Sequence, residues 1–281
     1  MTWRLEIVHR TRYDYDNTVQ TSYNEARVTP LTESHQTVIS SRFSTEPSAA
    51  VRRYRDYWGT QVTAFEIVEP HQQLVVTSSV VVETEGTREI GASVAWEALS
   101  DPDVTDRHAE LLAPTVYTGA EPALTEGARL LAASCATPAD AVFAVSRWVN
   151  EEMAYVPGAT GVHTDASEAW AARRGVCQDF AHVAIVALRV LGIPARYVSG
   201  YLHPAKDADI GETRAGESHA WVEAWTGEWW GVDPTNVAPV GNRHVAIARG
   251  RDYADVSPIR GVHSGGGAAA LSVEVTSTRV R

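Results

Sequence analysis

Cys177 is the residue in this sequence that is best placed to act as a nucleophile. It follows Gly175 and opens an apolar run that stops at Gly192 and Pro194, a pattern that predicts a buried helix beginning at the cysteine. A helix N-terminus carries partial positive charge and unpaired N–H groups, which favour thiolate over thiol and can bind an oxyanion. Taken alone, a single cysteine is more often a packing residue.

A predicted β-hairpin downstream supplies the partners that a nucleophilic cysteine needs. Residues 218–225 and 228–236 alternate in polarity on either side of a short turn. A three-residue loop over residues 225–227, with its glycine in a left-handed conformation, would place His219 directly opposite Asp233. The carboxylate would then orient the imidazole, and the imidazole would serve the cysteine as a base, which is the arrangement of a Cys–His–Asp triad.

A metal site is the weaker interpretation of the same residues. Zinc would need Cys177, His182 and His219, and no second cysteine-rich pair supports such a site. The sequence also lacks the acidic, glycine-centred loop that binds Ca²⁺. We therefore expect neither a metal nor a cofactor.

The remaining chain divides into three regions. Residues 1–110 read as an all-β, sandwich-like module, because short stretches rich in Val, Thr and Tyr alternate with turn residues. Residues 111–262 carry helices up to the cysteine helix and strands after it. The run 264–267 reads as a flexible linker, and residues 263–281 end the chain with one more strand that completes a sheet. The predicted fold class is α+β.

Composition restricts the partners and the compartment. The chain has 281 residues and a net charge of −11, from 35 acidic and 24 basic residues, which argues against nucleic acid or an anionic membrane as a partner. The two cysteines, Cys135 and Cys177, favour a reducing compartment. The first residues lack a signal peptide's apolar block, and no apolar run is long enough for a membrane span. We expect a cytoplasmic protein, and the strand edges of the β module make a homodimer possible.

Four stretches resemble the core of the transglutaminase-like superfamily, and they lie at residues 174–182, 191–201, 218–223 and 232–236. The N-terminus, which opens with His9, Tyr13 and Tyr15, is similar to the bacterial transglutaminase-like N-terminal region, and residues 250–256 resemble the C-terminal part of these proteins. The resemblance covers nearly the whole chain.

The resemblance implies a papain-like core in which the nucleophile helix packs on an antiparallel sheet. It also implies that Cys177 is the nucleophile, His219 the base and Asp233 the residue that orients the base. The substrate would be a peptide or protein, and the expected reaction is acyl transfer from an amide bond through a thioester. Hydrolysis by a peptidase or amidase is preferred, because water is always present.

Three alternatives stay open. Transamidation of protein glutamine needs the same triad, so the triad does not separate it from hydrolysis. Acyl transfer to an amine, as in arylamine acetyltransferases, fits the sequence around the cysteine less well, and a non-catalytic binding module would usually have lost a triad residue. Besides the Cys177 N–H, the candidate oxyanion or substrate contacts are Gln178, Tyr155 and Trp221, and core packing is the competing interpretation of Trp221.

Overall fold

The computed structural model describes residues 2–87 and 91–281. Among these residues the strands are β1 (Trp3–Ala26), β2 (Gln36–Glu46), β3 (Val51–Arg55), β4 (Gln61–Ile67), β5 (His71–Thr84), β6 (Ala154–Tyr155), β7 (Arg174–Gly175), β8 (Ala195–Leu202), β9 (Thr213–Trp225), β10 (Trp229–Asp233), β11 (Ala238–Pro239), β12 (His244–Gly250), β13 (Ile259–Gly265) and β14 (Ala269–Arg279). The helices are α1 (Pro102–Arg107), α2 (Ala109–Leu112), α3 (Pro122–Ala132), α4 (Pro138–Glu152), α5 (Ala166–Ala172), α6 (Cys177–Val190) and α7 (Tyr253–Val256), with a 3₁₀ turn at Trp96–Ser100.

The N-terminal region is an antiparallel sheet built around β1, as the β-rich sequence predicted. β1 pairs along one edge with β5 and β4, and along the other edge with β14 and β13. The sequence pattern predicted separate short strands here, whereas the structure joins them in one strand of 24 residues. The strand stays continuous because both of its halves find partners on both edges, and Leu5, Ile7 and Val19 along it are buried.

Helix α6 is the central helix of the core. It contacts α3, α4 and α5 as well as the strands β8 and β9, and Phe180, Ala184 and Leu188 along it are buried. Each fully buried Phe or Leu side chain contributes about 1.5–3 kcal/mol, so packing rather than intrinsic propensity fixes the helix in place. The chain leaves the helix through Gly192, whose φ of +76° is the left-handed conformation expected after a helix end.

The two faces of the core sheet pack against different sets of residues. Its strands lie in the order β12, β8, β9, β10, β11, all antiparallel to their neighbours. Ala220 and Val222 of β9 belong to the main core with α6, whereas Trp221 between them packs with Val198 and Ala246 on the other face. This alternation is the period of two that a strand imposes.

Strands from the two ends of the chain join the N-terminal sheet to the core sheet. β14 pairs with β1 on one side and with β9 on the other, so twelve strands of the described residues form one continuous sheet. The N-terminal β region is therefore continuous with the core. The prediction of a flexible linker at 264–267 is wrong, because β13 and β14 follow one another along the same edge of β1, and Gly266 between them is hydrogen-bonded to the backbone of Asn17 and Thr18.

Polar contacts also fasten the N-terminal region to the core sheet. The Gln36 amide donates to the Ala246 carbonyl at 2.8 Å and accepts from its N–H at 2.8 Å. Arg249 donates to both Glu33 and Glu223, each at 2.8–2.9 Å. No helix among the described residues combines the length and the apolar character that crossing a bilayer requires.

Candidate active site

The N-terminus of α6 presents Cys177 as the first helical residue. Asp179 fastens this end of the helix, because its Oδ2 accepts from the Val176 N–H at 2.7 Å and from the Thr160 hydroxyl at 2.6 Å. Only glycine fits at position 175, since a Cβ there would lie 2.5 Å from the same carboxylate oxygen. Cys177 is partly exposed, and its N–H lies in the first turn, where no intrahelical acceptor exists.

His219 connects the cysteine to Asp233. Its Nε2 lies 2.8 Å from Asp233 Oδ2, and because a carboxylate can only accept, Nε2 carries the proton in this bond. Nδ1 is then the nitrogen left for Cys177, which acts together with Asp233 to raise the pKa of His219. The structure therefore brings the three predicted residues together, with His219 between Cys177 and Asp233.

The predicted register of the hairpin is wrong by two residues. The loop spans residues 226–228 instead of 225–227, and continuing the observed register by one pair brings Asp233 opposite Trp221 instead of His219. Because the shift is an even number of residues, the carboxylate and the imidazole stay on the same face and meet diagonally. The left-handed glycine of the loop is confirmed, with φ +114°.

Asp233 is buried and accepts hydrogen bonds at both of its oxygens. Besides His219, the Asn236 amide donates to Oδ2 at 2.7 Å, and His244 Nε2 lies 3.2 Å from the same oxygen. The backbone N–H groups of Thr235 and Asn236 donate to Oδ1 at 2.9 and 3.1 Å. Sequence reasoning missed Asn236 and His244. The Asp-Pro-Thr-Asn turn was a usable signal for Asn236, whereas His244 comes from a distant strand and has no local signal.

The charges of these groups follow from their contacts. Burial disfavours the imidazolium, but the hydrogen bonds to Asp233 and Cys177 outweigh burial and raise the pKa of His219 to about 10. Burial also acts to raise the pKa of the Asp233 carboxyl, yet His219 and His244 hold that pKa far below its usual range. Burial lowers the pKa of His244, although Asp233 partly compensates. At neutral pH the arrangement therefore favours an imidazolium at His219, a carboxylate at Asp233 and a neutral His244.

The zinc interpretation can be compared with the same geometry. Among the described residues, the one cluster of potential ligands is His219, Asp233 and His244, and it includes neither Cys177 nor His182. His219 and His244 each direct a protonated Nε2 at the same oxygen, Asp233 Oδ2. His244 Nδ1 accepts from a backbone N–H, which keeps the proton on Nε2, the nitrogen that would have to bind the ion. The set is thus fitted to a hydrogen-bond network rather than to a metal.

The remaining candidate contacts lie in different surroundings. Gln178 is buried, and its amide donates to the Val162 carbonyl at 3.2 Å. Tyr155 is 45% exposed, and its ring lies 6.3 Å from that of Phe180. Trp221 is buried with its ring centroid 6.3 Å from that of His219, and its indole N–H has no hydrogen-bond partner within the described part of the chain. None of these placements assigns an oxyanion donor, so the three roles stay predictions.

His182, the other residue considered for zinc, is a core residue. Its side chain is fully buried, its Nε2 accepts from the Tyr253 N–H at 3.2 Å, and its ring lies 5.3 Å from Tyr117 and 5.1 Å from Tyr197. Burial lowers its pKa to about 3. His182 therefore packs as a neutral imidazole.

The comparisons with known proteins agree with this architecture. One family model, the transglutaminase-like superfamily, matches residues 126–234, and a second, the bacterial transglutaminase-like N-terminal region, matches residues 5–83. An uncharacterized protein of Mycobacterium leprae is 46% identical over 278 residues, which is 99% of both chains. A protein-glutamine gamma-glutamyltransferase of Pseudomonas aeruginosa is 38% identical over 104 residues, or 34% of this chain and 15% of that protein.

A solved structure shows the same fold over the full length. The crystal structure of a candidate cysteine protease from Cytophaga hutchinsonii superposes with a TM-score of 0.80 at 23% identity, and the match covers 100% of this chain and 92% of that one. The sequence matches, the shared fold and the arrangement of the core lead to one conclusion: the chain belongs to the transglutaminase-like superfamily.

Proposed function

We propose that the protein is a cysteine-dependent enzyme that cleaves an amide bond through a thioester, with hydrolysis of a peptide or amide as the outcome. The observation that carries the proposal is His219, whose Nε2 lies 2.8 Å from the buried Asp233 and whose pKa is raised by both Asp233 and Cys177. A buried carboxylate that orients an imidazole beside a partly exposed thiol is the arrangement that activates a nucleophile.

The reaction would proceed in two steps. The Cys177 thiolate attacks the amide carbonyl, and His219 donates its proton to the departing amine, which leaves a thioester and a neutral imidazole. His219 then takes a proton from water as water attacks the thioester, so that the carboxylic acid product and the thiolate form and the imidazolium is restored. Donors at the N-terminus of α6 would stabilise the oxyanion in both steps.

Transamidation is the second candidate. The similarity to the glutamyltransferase of Pseudomonas aeruginosa, 38% identical over 104 residues, favours it. In that reaction a primary amine takes the place of water in the second step, and the first step is unchanged.

Incubation with a peptide library, with and without a primary amine, would separate the candidates. Cleaved peptides or conversion of Gln to Glu are expected from hydrolysis, and addition of the amine is expected from transamidation. The matched control is Cys177→Ala beside Cys135→Ala, because the second cysteine lies outside the triad. Products that form equally with Cys177→Ala would contradict the proposal.

A further inference from the structure

We propose that His244 is a positioning residue of the site, a neutral imidazole whose Nε2–H fixes the carboxylate that orients His219; this inference rests on the proposed function of Cys177. His244 lies at the start of β12, eleven residues beyond Asp233 in sequence. It is 5% exposed, so it is a support behind the triad and not a group that substrate reaches.

The tautomer of His244 follows from its two hydrogen bonds. The Gly241 N–H points at Nδ1 over 3.3 Å, so Nδ1 must accept. The proton of the neutral ring is then on Nε2, which lies 3.2 Å from Asp233 Oδ2 and donates to it. Both nitrogens are thereby used in one fixed orientation of the ring.

Burial and most of the charged groups near His244 oppose a positive charge on its ring. Asp233 is the one that attracts a proton, while His219 and Arg243 oppose a positive charge on the ring. Protonation would also force a second hydrogen onto Nδ1, against the Gly241 N–H. His244 therefore remains a neutral donor over the range in which the triad would operate.

The position of His244 explains what it adds to the site. Asp233 Oδ2 is held by three side chains from separate segments: His219 on β9, His244 on β12 and Asn236 in the following loop. Since β8 lies between β9 and β12, the bond from His244 ties the hairpin to the far side of the sheet. The Trp221 ring packs against the His244 ring in a T-shaped arrangement, with 5.2 Å between the ring centroids. Without His244, the carboxylate would be held by its own loop and by the very imidazole that it must orient.

A cavity beside His244 makes the claim testable by chemical rescue. A space of about 310 Å³ is lined by His244 together with Trp221, Val240 and Gly241. Removing the side chain in His244→Gly would enlarge this space by the volume of an imidazole. Added imidazole can both accept from the Gly241 N–H and donate to Asp233, whereas pyridine can only accept.

The readout is the rate at which iodoacetamide labels Cys177 as a function of pH, with Cys135 as an internal reference. We expect His244→Phe to slow labelling near neutral pH about tenfold, equivalent to loss of about 1.4 kcal/mol, while labelling at high pH and of Cys135 stays unchanged. His244→Gln, whose amide can still donate to Asp233, should label within about twofold of the wild type. Imidazole should restore labelling in His244→Gly but not in His244→Phe, where the ring fills the site.

The outcomes separate the two proposals. Wild-type labelling of Cys177 no faster than that of Cys135 would overturn the proposed function and this inference with it. Fast wild-type labelling that His244→Phe leaves unchanged would overturn the inference alone. If His244→Phe fails to fold, the glycine variant decides, since equal labelling with imidazole and with pyridine would assign His244 a merely space-filling role.

Discussion

Replacing Gly175 by Ala tests how the chain positions Cys177. The added Cβ would lie 2.5 Å from Asp179 Oδ2 and 2.6 Å from Asp179 Cβ, both well inside contact distance. The Asp179 carboxylate must therefore move, and the Val176 N–H and the Thr160 hydroxyl lose their acceptor. Loss of such a helix cap costs about 1 kcal/mol, and crowding in a packed site costs about 1–3 kcal/mol.

The expected result is a destabilisation of about 3 kcal/mol, which corresponds to a fall in Tm of about 5 °C for a chain of this size. Labelling of Cys177 by iodoacetamide should slow as well, because the first turn of α6 shifts. Thermal unfolding and mass-resolved alkylation measure the two effects. Gly161→Ala is the matched control, since nothing lies within 4 Å of a Cβ at that position.

A double-mutant cycle decides whether the clash with Asp179 is the cause. Asp179→Gly removes both the carboxylate and the Cβ that a methyl group at position 175 would meet. Gly175→Ala should therefore cost at least 1 kcal/mol less in that background. Additive effects of the two substitutions, or a Gly175→Ala variant that unfolds and labels like the wild type, would refute the reasoning.

Three further predictions follow from buried ionisable groups. Asp233→Asn removes the charge that favours the imidazolium, so labelling of Cys177 near pH 7 should fall at least about tenfold; unchanged labelling would contradict this. Burial lowers the pKa of His9 from 6.5 to about 4. Between these two pH values the unfolded chain binds a proton that the folded chain does not. The free energy of unfolding should therefore fall by about 3 kcal/mol as pH drops from 6.5 to 4. Chemical denaturation at both ends of this range should show a smaller loss for His9→Gln. Arg249→Met leaves the buried Glu223 carboxylate with one cation fewer and should lower the free energy of unfolding by about 3 kcal/mol. Thermal unfolding should show that adding Glu223→Gln recovers part of this lost stability.

The sequence predicted the elements of the site better than their exact pairing. The helix beginning at Cys177 was readable because an apolar period and a Gly-Ile-Pro stop mark it within twenty residues. The register of the hairpin was not, because Trp225 and Glu228 are equally acceptable as a loop end, and strand pairing decided between them. The prediction still placed His219 and Asp233 on the same face, because the register error is an even number of residues and side chains alternate with a period of two.

Features that depend on distant pairing were not predictable from local pattern. His244 meets Asp233 across β8 and β9, and β14 meets β1 across almost the whole chain, so neither contact leaves a periodic signal nearby. The glycines at 265–267 have the composition of a linker, and only the pairing of β13 and β14 with β1 shows that they join two segments along one edge of the sheet. A cytoplasmic location, a peptide or protein substrate and a homodimer stay predictions.

The most direct test of the central claim is the relative reactivity of the two cysteines. Burial raises the pKa of the Cys135 thiol, whose side chain contacts the Leu131 carbonyl at 3.6 Å, so it is a slow internal reference. Iodoacetamide near pH 7 should label Cys177 at least about tenfold faster than Cys135, and His219→Ala should abolish the difference. Equal, slow labelling of both cysteines, or a preference that survives in His219→Ala, would contradict an imidazole-activated nucleophile at Cys177.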